Sequence, residues 1–66
     1  LIELNDALEV LEREDERAAE VARLKLFAGL EMAEIAESMG VGERTAAREW
    51  AFARARLGEL LGGPDA

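Results

Sequence analysis

The chain contains no Cys, His, Tyr or Gln, and only one Pro and one Trp. Without Cys there is neither a disulfide framework nor a thiolate metal site, an inventory that a reducing cytoplasm permits. Without His or Cys, the usual general bases, nucleophiles and soft metal ligands are missing, and only carboxylates and guanidinium groups are plentiful. Hydroxyl side chains are limited to Ser38 and Thr45. The expectation is a protein that is not an enzyme and carries no cofactor or metal. No apolar run approaches the roughly 18 residues that a membrane span needs, so no membrane is expected as a partner and the cytoplasm is the expected location. The first residue is Leu rather than Met, and the chain is expected to be the C-terminal piece of a longer one.

Sixty-six residues suffice for one small domain. Half are apolar, but 13 are Ala, so the core must come from ten Leu and a few Ile, Val, Met, Phe and Trp. No β-branched or aromatic run alternates with period two, whereas apolar residues recur at helical spacing throughout. The predicted fold is all-α, a small four-helix domain with a C-terminal helix-turn-helix. Glycines at 29, 40 and 42 and the "GGP" at residues 62–64 punctuate it.

Four helices are expected, over approximately residues 3–13, 16–28, 31–39 and 43–61. In the first, Leu4, Leu8 and Leu11 form an apolar stripe with Glu3, Glu9 and Glu12 on the wet side. Asp15 is placed to cap the second, whose apolar residues fall on two adjoining faces, Val21, Leu24 and Ala28 on one and Ala18, Ala22 and Leu26 on the other. In the third, Met32, Ile35, Ala36 and Met39 share a face. Gly40 stands where a left-handed turn residue is wanted, Val41 returns to the core, and Gly42 stands at the N-cap of the fourth.

The fourth helix is expected to project beyond the core, and it is two-sided. At 100° per residue, Ala46, Trp50, Ala53, Leu57 and Leu60 lie on one side. Arg44, Ala47, Arg48, Ala51, Arg54 and Ala55 lie on the other. Small residues let such a surface approach another closely, and Arg can bind phosphate or fork onto guanine O6 and N7. A helix-turn-helix at residues 31–57, with small Ala36 four positions before the Gly40 turn, would present this arginine side to a major groove. An ordinary helical hairpin closed by glycine gives the same pattern of breakers.

The segment "LFAGLEMAEIAESMGVGERTAAREWAFARARLGELL" resembles region 4 of the extracytoplasmic-function (ECF) sigma factors within the sigma-70 family, and "LNDALEVLEREDERAAEVARLKL" is similar to its first two helices. The resemblance implies recognition of the promoter −35 element in double-stranded DNA by the last helix. It also implies docking on the β flap of RNA polymerase, with an anti-sigma protein as a further candidate partner. Carried over by position, Arg44, Thr45 and Arg48 match base- or phosphate-contacting positions, with Ala47 and Ala51 beside them and Arg54 at a downstream backbone contact. The chain departs from the family pattern at Glu31 and Gly42, where Ser is frequent, and at Ala46-Ala47, where Val-Lys is frequent. Loss of that Lys removes a phosphate contact. A carboxylate at Glu31 suits the helix dipole and opposes approach to DNA.

Charge sharpens the question, because the chain is anionic, with 15 acidic against 8 basic residues and a net charge of −7. Residues 1–37 hold 11 acidic and 4 basic groups, whereas residues 43–57 hold four Arg against Glu43 and Glu49. A cationic face can work on such a domain if the acidic helices lie behind it, because the Debye length of about 8 Å is shorter than the width of a helix. Binding to DNA should be weak unless a larger assembly tethers the domain. The same acidic helices could instead offer their Leu4, Leu8, Leu11, Val21 and Leu24 to a partner helix, although so short a chain needs most of its leucines for its own core. Two other readings stay open: a LuxR-type response-regulator output domain, and an acidic helical protein-interaction module that binds no DNA. Phe52 lies off the core side and is expected to be exposed.

Overall fold

The computed structural model describes residues 2–62; the breakers Gly63 and Pro64 lie outside them. Four helices follow one another, α1 (Leu4–Glu14), α2 (Glu16–Leu26), α3 (Met32–Met39) and α4 (Glu43–Leu61).

A single residue joins α1 to α2. Asp15 is extended, its carboxylate accepts the Ala18 backbone N–H at 3.1 Å, and its own N–H donates to the Leu11 carbonyl at 2.7 Å. It thus closes one helix and opens the next, which lets the chain reverse without a loop. At α3, the Glu34 carboxylate accepts the Glu31 backbone N–H at 2.7 Å, tying down the chain that enters the helix.

The interior is built in two clusters. Ala7, Leu8 and Leu11 of α1 meet Ala18, Ala19 and Ala22 of α2 and Ala53 and Leu57 of α4. Val21 of α2 meets Ile35 and Ala36 of α3 and Ala46 of α4. Trp50 packs against both. Leu8 and Leu11 are thus core rather than part of an open groove. Ala7 and Ala19 are fully buried too, two contributors that the leucine pattern alone passes over.

Two expectations need correction. The second helix stops at Leu26 rather than at residue 28, and Leu26 and Phe27 are 44% and 59% exposed. Ala28 is exposed as well. No helix covers that side of the last turn: the apolar arc of α2 is buried only as far as Ala22 and Leu24 have neighbours in the two clusters. Nor does α4 project beyond the core. Its 19 residues span about 28 Å, and Leu57, Leu60 and Leu61 near its end still pack on the first cluster. It is the spine shared by the other three helices.

Candidate nucleic-acid interface

The turn between α3 and α4 is fixed by backbone geometry. Gly40 adopts φ +69°, and its N–H donates to the Glu37 carbonyl at 3.2 Å while the Val41 N–H donates to the Ala36 carbonyl at 3.0 Å. This pair of bonds is a Schellman closure, which requires the left-handed residue that glycine supplies. Val41 then packs against Ile35 and Ala36, the apolar contact that accompanies such a closure. Gly42 returns to extended geometry (φ −71°, ψ 156°) and opens α4, whose Ala46 N–H donates to the Gly42 carbonyl at 3.0 Å. With α3 clamped to α4 through Ile35, Ala36 and Ala46, the element is a helix-turn-helix in connectivity and packing.

The buried side of α4 carries Ala46, Ala53 and Leu57, with Trp50 and Leu60 partly buried. On the outward side Arg44, Ala47, Arg48, Ala51, Arg54 and Ala55 are all exposed. Among the described residues, Arg44, Arg48 and Arg54 enter no ion pair. Thr45 differs from the other candidates. It is half-buried and shares a flank with Glu49, Phe52 and Arg56, at i, i+4, i+7 and i+11. Phe52 on that flank is 46% exposed.

The fourth arginine of this helix is committed elsewhere. Arg56 Nε donates to Glu14 Oε1 at 2.8 Å, Nη2 to Glu14 Oε2 at 2.6 Å, and Nη1 to Glu59 Oε1 at 3.2 Å. All three guanidinium nitrogens are occupied, and the hydrogen bond from Arg56 holds the Glu14 carboxyl below the usual carboxylate range, with the charges of Arg56 and Arg13 assisting. The Glu14 contact raises Arg56 in turn. The charge count for residues 43–57 therefore overstates the available cations: three arginines face outward, not four. Sequence gave no cue to this pair, which is 42 residues apart. A second pair, Arg23 Nη2 to Glu12 Oε1 at 2.8 Å, links α2 to α1 through a single hydrogen bond.

The surrounding field is mixed. The side of α4 that packs on α1 and α2 is turned away from Arg44, Arg48 and Arg54, so the exposed carboxylates Glu3, Asp6, Glu9, Glu16 and Glu20 lie on or at the start of helices behind it. The body of α4, about 10 to 12 Å across, exceeds the Debye length of about 8 Å, so their repulsion at the arginine face is largely screened. Glu31, Glu34, Glu37 and Glu43 are exposed on α3 and at the start of α4, where no such separation intervenes. An arrangement of three unpaired guanidinium groups with alanines between them can take phosphates and base edges.

A family model described as ECF sigma factor matches residues 1–62. A search of curated proteins and a search of solved structures each return no match.

Proposed function

This chain belongs to the ECF sigma factor family, whose members serve transcription initiation with RNA polymerase and promoter DNA, and from that premise we propose that α4 reads the promoter −35 element. The observation that carries the reading is the exposed, unpaired set Arg44, Arg48 and Arg54 on α4 with Ala47, Ala51 and Ala55 between them.

In this reading α3 braces α4, whose first turns enter the major groove. Arg44 and Arg48 contact bases or phosphates, Ala47 and Ala51 allow close approach, Arg54 meets the backbone downstream, and Thr45 contributes from the edge of the interface. The α1–α2 half docks on the β flap, and an anti-sigma protein is a competing occupant of that half. The domain works in the cytoplasm, held at the promoter by the polymerase, so its own affinity need not exceed the roughly 10⁻⁴ to 10⁻⁶ M of non-specific association.

The test is transcription reconstituted with RNA polymerase and the full-length factor carrying this domain. Arg44→Ala with Arg48→Ala should abolish the response to changes in the −35 sequence. In duplex titrations across salt, the same pair should reduce the slope of log affinity against log salt by about one per lost phosphate contact. Transcription indifferent to both arginines would refute the reading.

A further inference from the structure

We infer that Arg56 is a positioning residue for DNA reading: its fork on Glu14 fixes the rotation of α4 about its axis, and with it the direction in which Arg44, Arg48 and Arg54 point. This rests on the reading of α4 as the DNA-contacting helix.

The argument starts from how α4 is held. Two of its three fully packed positions are alanines, Ala46 and Ala53, and only Leu57 is large. Alanine contacts bring helix axes close but present little relief, so they resist rotation less than interlocked large side chains do. Trp50, Leu60 and Leu61 are each only partly buried. A directional contact outside the core therefore has leverage. The Arg56 fork is such a contact, with two parallel N–H···O bonds of 2.8 and 2.6 Å to the two oxygens of one carboxylate. Planar bidentate geometry of this kind is sensitive to angle as well as distance. Glu59, one turn farther along α4, braces the guanidinium from its other side at 3.2 Å, so the group is held at three points.

The anchoring end is equally constrained. Glu14 is the last residue of α1, immediately before Asp15, the residue that caps α2. The fork thus ties α4 to the rigid α1–α2 corner rather than to a loop. Arg56 also lies on the flank beside the arginine side, not on it, so it turns the helix without occupying the surface that meets DNA.

The discriminating variant is Arg56→Lys, which preserves charge and removes the fork. A short duplex selected by the wild-type chain from a random pool, and a scrambled duplex of the same length, serve as probes. The expected result is a fall of roughly two- to five-fold in the ratio of selected to scrambled affinity, the range of a surface ion pair, with helicity and salt slope unchanged. The exchanged pair, Arg56→Glu with Glu14→Arg, should restore part of the ratio. A merely structural role would shift both affinities together and leave the ratio alone; that outcome overturns the proposal. If the wild-type chain selects no duplex, its untethered affinity is too weak for this readout, and the DNA reading is decided by the reconstituted transcription described above. Residual dipolar couplings of the free chain then still decide the positioning claim: an α1–α4 orientation identical in wild type and Arg56→Lys overturns it, and an altered one supports it.

Discussion

The backbone N–H of Val41 reaches over Gly40 to the carbonyl of Ala36 at 3.0 Å, and with the Gly40 bond to Glu37 it closes α3 where the turn into α4 begins. No atom lies within 4 Å of where a Cβ on Gly40 would sit, so the demand for glycine comes from φ +69° alone. Gly40→Ala should therefore cost about 1 to 2 kcal/mol, the price of left-handed geometry for a residue with a Cβ, measurable by urea unfolding. Gly42, at φ −71° with open space around it, is the N-cap of α4; Gly42→Ser should change stability by only a few tenths of a kcal/mol, whereas Gly42→Ala, which is free of clash but a poor cap, should cost about 0.5 to 1 kcal/mol.

Asp15 holds the α1–α2 corner by its carboxylate on the Ala18 N–H. Asp15→Ala should destabilise the fold by about 1 kcal/mol, whereas Asp15→Asn, which keeps an acceptor oxygen, should retain most of that. Equal losses in the two variants, seen in denaturant midpoints, would mean that the carboxylate's charge rather than its hydrogen bond holds the corner.

The Glu14–Arg56 pair gives acid sensitivity a defined sign. The folded carboxyl of Glu14 titrates below its unfolded value, chiefly through the Arg56 hydrogen bond. Its contribution is complete above the ordinary carboxylate range and is lost as pH falls through the lowered folded value. The stability difference between wild type and Glu14→Gln should be largest near neutrality and shrink on acidification. Urea midpoints at a series of pH values check it, and a difference that grows toward acid would contradict the assignment.

Apolar side chains of the two kinds should behave oppositely. Ile35 is fully buried between α2, α3 and α4, and Ile35→Ala should cost about 2 to 5 kcal/mol. A chain of this length is stable by only about 3 to 10 kcal/mol, so that variant should lose a large share of its stability and melt well below wild type. Phe52→Ser, on an exposed flank, should stay within about 0.5 kcal/mol of wild type. Circular dichroism melts compare the two.

Much of this architecture was legible in the sequence because its signals are local. The Asp15 cap, the Gly40 closure, the Ile35–Ala36 contact face and the two sides of α4 all follow from spacing and from what a single residue's backbone tolerates. What escaped depends on neighbours. Leu26 satisfies the periodicity of a core position, yet no helix lies over it. Alanines 7 and 19 carry too little apolar area to mark a stripe, yet they are fully buried in the first cluster. Arg56 looks like the other arginines of its helix until Glu14, distant in the chain, is brought beside it. Thr45 falls within the first turns of α4 as the family pattern asks, but helical rotation carries it to the flank.

The division of α4 bears on how such a domain can change over generations. Ala47, Ala51 and Ala55 are exposed and belong to neither core cluster. Substitutions there alter what the helix touches while leaving Ala46, Ala53 and Leu57 to hold it. If α4 reads DNA as proposed, target preference and foldability are inherited through separate letters of the same nineteen-residue word, and a new binding sequence can be acquired without first repairing the fold.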